Sequence, residues 1–130
     1  ASGSLGQMAE VVQLAGDKIT LLSGDDNLTL PILAIGGKGV ISVVANIAPK
    51  DNANMVKAWE EGKTERARKL FFKLLPLCQS MFIETNPIPV KTALALMGKI
   101  DGEMRLPLCP MAPANQEKLK SALRDYGLIK

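Results

Sequence analysis

Only two stretches of this 130-residue chain read as β-strands, and a helix-length connection joins them. Ile19-Thr20-Leu21-Leu22 is a short β-branched and leucine-rich run that ends at Ser23-Gly24-Asp25-Asp26, and Val40-Ile41-Ser42-Val43-Val44 is denser still in branched side chains. Apolar runs of this kind suit strands in the interior of a sheet. Between them Leu28 to Ile35 is apolar almost all round and stops at Gly36-Gly37, which predicts a short helix over the sheet despite Pro31. A helical crossover makes the two strands parallel. Two parallel strands cannot cover their own edges, so the pair demands further strands from elsewhere.

The rest of the chain is helical in pattern. Leu5, Met8, Val11 or Val12 and Ala15 recur at helical spacing, which predicts a helix over residues 4 to 15, with Ser4 as its cap and Gly16-Asp17 as its stop. Asp26 is placed to cap the helix after the first strand. Beyond Pro49 a helix over Asn52 to Glu61 carries Met55, Ala58 and Trp59 on one face. Thr64 caps a long helix whose stripe runs through Ala67, Leu70, Phe71, Leu74, Cys78, Met81 and Phe82, bent at Pro76. Asn86-Pro87 starts a helix that stops at Gly98, residues 99 to 113 form an extended loop, and Asn115 caps a last helix turned inward at Leu119, Ala122, Leu123 and Tyr126.

Composition narrows the chemistry. The chain has no histidine, which excludes a Ser/His/Asp triad, a Cys/His pair and any histidine-built metal site within it. Cys78 and Cys109 form neither a CxxC nor a zinc pattern and are expected as reduced thiols of a cytoplasmic protein. The net charge of +3 comes from scattered lysines, with few arginines and aromatics, so nucleic-acid binding is not expected. No apolar run approaches a membrane span. Gly36-Gly37-Lys38-Gly39 precedes a strand and lacks phosphate-loop spacing. Lys91 is flanked by apolar residues, yet it reads as a surface lysine with a buried stem, because full burial of lysine is rare. Asp25 alone remains as a functional candidate, in a loop that follows a strand, where α/β sheets place ligands; the competing reading makes Gly24 a turn residue and Asp26 a cap.

The order of motifs adds a resemblance. Ala1-Ser2-Gly3, then Leu21-Leu22-Ser23-Gly24-Asp25-Asp26, Gly36 through Asn46, Asn86-Pro87-Ile88-Pro89-Val90-Lys91 and Leu106-Pro107-Leu108 together resemble the C-terminal half of the dihydrodipicolinate synthase family. The resemblance implies an α/β fold: strands seven and eight of a (β/α)8 barrel with their flanking helices over residues 1–62, then an all-helical C-terminal domain over 63–130. It implies a pyruvate-dependent aldolase-type lyase that condenses pyruvate with aspartate semialdehyde in lysine biosynthesis through a lysine Schiff base, with no cofactor and no metal. Ala1-Ser2-Gly3 is similar to the tail of the motif that carries that lysine, so the nucleophile is expected outside this chain and no catalytic residue within it. Ile41 falls where the family's backbone lies against pyruvate, Gly24 and Asp25 fall in the loop near the aldehyde substrate, and Leu5, Pro31, Ala34 and Ile35 fall at the contact between dimers of a homotetramer.

The expected partners are therefore the two substrates, the missing N-terminal half and further copies of the protein, and the chain alone is expected to be inactive. A second reading, from another class, is a non-enzymatic helical oligomerisation fragment. A third is a related aldolase such as N-acetylneuraminate lyase, whose strand-eight region carries a Gly-Ser-Thr-Tyr-Asn-like stretch in place of Ile41-Ser42-Val43-Val44-Ala45-Asn46.

Overall fold

The computed structural model describes residues 2–130, so Ala1 of the first motif lies outside the described residues. Helix α1 (Leu5–Ala15) starts where Ser4 Oγ accepts the Gln7 amide hydrogen at 3.2 Å, as the helix-start pattern predicts, and ends before Gly16. Strand β1 (Leu22–Ser23), helix α2 (Thr29–Ala34) and strand β2 (Gly39–Val40) follow, with β1 and β2 parallel in the register Leu22 to Gly39 and Ser23 to Val40. The helical part comprises α3 (Pro49–Glu60), α4 (Thr64–Ser80), α5 (Ile88–Leu96) and α6 (Pro113–Tyr126). No helix is long and apolar enough to cross a membrane among the described residues.

The strands depart from expectation in length and in burial. Ladder pairing reaches only two residues in each, because each strand has one neighbour; on either side of it the Lys38 amide donates to Leu21 O and the Ile41 amide to Ser23 O. Ile19 is 51% and Leu22 43% exposed, so the first strand is not buried on both faces. Val44 begins a 3-10 turn, Val44–Asn46, that leads into α3.

Backbone sterics set the entry to β2. At Gly37 an added Cβ would lie 2.4 Å from Ile32 Cγ2 and 2.8 Å from Ile32 O, so only glycine lets the chain leave α2 this closely. The Gly37 amide uses that approach to donate to Ile32 O at 2.8 Å.

The core belongs to the helical part. Leu74, Leu77, Cys78 and Met81 of α4 and its end meet Leu119 and Leu123 of α6, with Met55 of α3, Ile88 and Ala93 of α5, and Val44 and Ile47 before α3. Burying a leucine- or methionine-sized side chain contributes about 1.5–3 kcal/mol, so this cluster dominates the hydrophobic term. Helix α4 passes through Pro76, which offers no N–H to the carbonyl one turn earlier, and Pro76 sits on the exposed side. Phe82 lies past the end of α4 and is 52% exposed, so it leaves the apolar stripe that the spacing assigned to it.

Three local caps differ from the sequence expectation. Thr64 is already helical, with Lys63 before it and no side-chain cap. The helix after Asn86-Pro87 starts one residue later, at Ile88. Asn115 stands inside α6, where its Nδ2 donates to Glu84 Oε1 at 2.8 Å; the same oxygen accepts the Ala112 amide at 3.0 Å, so a distant carboxylate holds the start of α6.

Across the helices, Lys73 Nζ lies 2.6 Å from Asp51 Oδ2, and the Tyr126 hydroxyl donates to the same oxygen at 2.5 Å. Lys73 also sits 4.7 Å from the centre of the Tyr126 ring. The hydrogen bonds from Lys73 and Tyr126 hold the Asp51 carboxyl below its ordinary value, and burial together with Asp51 holds the Tyr126 phenol above its own. This group ties α3, α4 and α6 together.

Candidate functional site

Because β1 and β2 are parallel, their carboxyl ends open on the same side, the end at which α/β sheets and barrels hold ligands. The Ile41 amide donates to Ser23 O at 2.8 Å, so Gly24-Asp25 and Ile41 leave the ladder side by side. The structure thus brings the three predicted substrate-side residues together. Gly24 and Asp25 are half-buried, whereas Ile41 is 70% exposed.

Ser23 organises the first of these loops. Its buried Oγ accepts the Asp25 amide at 3.1 Å and donates to Asp25 O at 2.7 Å, and Asp25 O also accepts the Leu28 amide at 3.1 Å. The Asp25 backbone is therefore fixed from both of its polar ends, and its residue faces a cavity of about 400 Å³. Gly3, Asn27 and Leu28 complete one wall, while Cys78 and Gln79 of α4 and Phe82 just beyond it form the other. Ile41 does not line this cavity.

The second loop is anchored by Asp26, and here the expected local cap is corrected. Asp26 does not turn its side chain onto α2. Its carboxylate reaches across to the loop after β2, where Oδ2 accepts the amides of Val43 and Val44 at 2.9 and 3.1 Å and Oδ1 accepts the Ser42 hydroxyl. Ser42 Oγ accepts the Ala45 amide and Asn52 Nδ2, each at 2.8 Å. The physical reason is local geometry: Asp26 opens a 3-10 turn after which the Leu28 and Thr29 amides are met by backbone carbonyls, leaving its carboxylate available to the donors of the neighbouring loop. No spacing rule within one element finds this bond, because its partners lie 16 to 18 residues away.

The site holds no strong nucleophile of its own. Burial pushes the Cys78 thiol up to about 12, the Asp26 charge adding to the effect, so Cys78 is a neutral thiol at physiological pH. Lys38 enters β2 at its opposite end, and Lys91 lies on α5 with its Nζ donating to Glu103 O at 2.7 Å. No lysine lines the cavity. Among the described residues, no three of the cysteines, aspartates and glutamates converge as a metal cluster.

Leu5, Pro31, Ala34 and Ile35 fall on or at the end of α1 and α2, two helices that pack against each other, with α2 also against both strands. Leu5 and Ala34 are exposed, and Pro31 and Ile35 are half-buried. Gln79 and Phe82, which share the cavity with Asp25, carried no functional signal in the sequence; a polar residue and an aromatic on a helical stripe read as surface and core.

Comparison with known proteins extends the geometry. Over all of its length the chain is 62% identical to the 4-hydroxy-tetrahydrodipicolinate synthase of Thermodesulfovibrio yellowstonii, of which it covers 45%. The crystal structure of dihydrodipicolinate synthase from Aquifex aeolicus aligns with 98% of this chain and 44% of its own at a TM-score of 0.95 and 44% identity. The chloride-inhibited enzyme from Acinetobacter baumannii, solved in complex with pyruvate, aligns with 99% of this chain and 44% of its own at a TM-score of 0.94 and 38% identity. The chain thus spans less than half the length of the relatives it matches. Residues 1–126 match the family described as dihydrodipicolinate synthetase, and with identity sustained along the same stretch the chain belongs to that family.

Proposed function

We propose that this chain is the part of a pyruvate-dependent lyase that supplies two adjacent barrel strands and the helical domain beside them, and that the assembled enzyme condenses pyruvate with aspartate semialdehyde in lysine biosynthesis. In this reading β1 and β2 are the seventh and eighth strands, residues 1–62 belong to the barrel and 63–130 to the helical domain. The observation that carries it is the placement of Gly24-Asp25 beside Ile41 at the carboxyl ends of a parallel pair, next to an open cavity, in a chain that matches one family over residues 1–126. That match favours the enzyme over a free-standing helical oligomerisation fragment.

The chemistry needs an amine that this site does not provide. A lysine amine adds to the pyruvate ketone and loses water to form an iminium; loss of a methyl proton gives an enamine whose carbon adds to the aldehyde. The nucleophilic lysine is assigned to the remainder of the protein. Within this chain the backbone at Ile41 flanks bound pyruvate, and Gly24 and Asp25 flank the aldehyde substrate, whose α-ammonium group suits a carboxylate held at a cavity edge. Leu5, Pro31, Ala34 and Ile35 form the contact between dimers of a tetramer in the cytoplasm.

The test combines this chain with the part of the T. yellowstonii synthase that it does not cover. Condensation of pyruvate with aspartate semialdehyde is expected from the mixture and from neither polypeptide alone. Turnover by this chain alone, or none from the folded mixture, contradicts the reading.

A further inference from the structure

Asp26 is 4% exposed, and none of the ion pairs among the described residues involves it. A buried carboxylate must be compensated, and here the compensation is made of hydrogen-bond donors: the amides of Val43 and Val44 and the hydroxyl of Ser42. The network extends through Ser42 Oγ to Asn52 of α3 and through Thr29 Oγ1, which donates to Asp26 O at 2.8 Å, to the start of α2. No buried side-chain polar atom among the described residues lacks a partner, so the network is complete.

Its position gives it a purpose beyond holding the fold. The β1–β2 ladder consists of two residue pairs and its pairing ends at the bond from the Ile41 amide to Ser23 O, which leaves the segments past that bond to be placed by other contacts. Asp26 directly follows Gly24-Asp25 in sequence, and its three donors directly follow Ile41. One carboxylate therefore spans the gap between the two loops at the point where both leave the ladder.

We infer that Asp26 is a positioning residue of the reaction proposed above, locking the Ile41 backbone in register with Gly24-Asp25 by binding the Val43 and Val44 amides and the Ser42 hydroxyl with one buried carboxylate. The inference rests on that functional reading. A carboxylate is needed because it accepts at both oxygens; asparagine offers one acceptor oxygen and turns an NH₂ group toward donors. Asp26 touches no reacting atom and acts through the loops it joins.

The test uses the assembly of this chain with the uncovered part of the T. yellowstonii synthase, together with hydrogen exchange on this chain. Asp26→Asn is expected to lower kcat by roughly 100-fold through misplacement of the two loops, with the pyruvate KM changed far less. Ser42→Ala, which leaves both backbone amides bonded to Asp26, is expected to lose less. Asp51→Asn serves as the structural control: it weakens the helical part while leaving kcat of the folded assembly unchanged. Exchange at the Val43 and Val44 amides is expected to accelerate at least tenfold in Asp26→Asn, about one hydrogen bond's worth, with protection of α4 and α6 retained. Wild-type kcat in Asp26→Asn, or a loss matched by the fraction of assembly that is unfolded, overturns the inference. Should Asp26→Asn fail to assemble, Ser42→Ala with unchanged kcat overturns it equally. Absence of turnover from the unsubstituted assembly overturns the functional reading and this role with it, whereas the exchange experiment then still reports whether Asp26 joins the loops.

Discussion

Leu119 and Leu123 of α6 are fully buried, whereas Leu22 of β1 is 43% and Ile41 beyond β2 is 70% exposed. All four are side chains that water disfavours, and the difference lies in what surrounds them. The helices close on themselves around Leu74, Leu77, Met81, Leu119 and Leu123. The strand pair packs on α2, yet Leu22 and the adjoining Ile41 still meet solvent. An exposed apolar face that continues along two unpaired strand edges is the signature of an interface, and the proposed occupant is the rest of the barrel.

Substitutions in the helical core should have the largest effect on the chain itself. Leu123→Ala is expected to lower the unfolding free energy by about 2–5 kcal/mol, read from urea unfolding followed by circular dichroism. An effect below about 1 kcal/mol would mean that the helices are not the stable half. Gly37→Ala probes the other region: the added Cβ meets Ile32 side chain and backbone, and a loss of about 1–3 kcal/mol is expected. In the chain alone that loss should appear as faster exchange in α2 and β2, with α6 unaffected.

The Asp51, Lys73 and Tyr126 group sharpens the comparison through pH. The Asp51 pKa is held below its ordinary 3.8, so its contribution is present above that value and is lost as pH falls through the depressed one. The Tyr126 pKa is raised above its ordinary 10.0, so its contribution is present below 10.0 and is lost as pH rises through the raised one. Tyr126→Phe removes the hydrogen bond to Asp51 and is expected to cost roughly 0.5–1.5 kcal/mol, with a flatter alkaline limb in a stability–pH profile. The smallest effect on stability is expected on the open face. Leu22→Lys and Ile41→Lys should change the unfolding free energy of the chain by no more than about 0.5 kcal/mol, yet abolish assembly with the uncovered part of the T. yellowstonii synthase in gel filtration.

Much of the helical part was legible because its signals are local. The spacing of Leu119 and Leu123 marks the buried face of α6, and Ser4 marks the start of α1, each within a few residues of the structure it specifies. The strands were legible as strands in composition but not in extent, since a ladder ends where its partner ends and the partner is remote in sequence. The same limit hid the roles of Asp26 and Glu84. Both look like ordinary surface or cap carboxylates, and both spend their acceptors on donors many residues away. For the site, the resemblance points to Gly24, Asp25 and Ile41, and the parallel ladder brings them together. Gln79 and Phe82 became visible only when α4 was seen folded against the first loop.

The central claim is that this chain shapes a pyruvate site whose reactive amine resides elsewhere, and intact-mass spectrometry after borohydride reduction tests it most directly. With pyruvate present, the mass of the reduced adduct is expected on the uncovered part of the T. yellowstonii synthase in the mixture, and this chain is expected to keep its unmodified mass. A stoichiometric adduct on this chain, or none on either polypeptide of a folded assembly, contradicts the account.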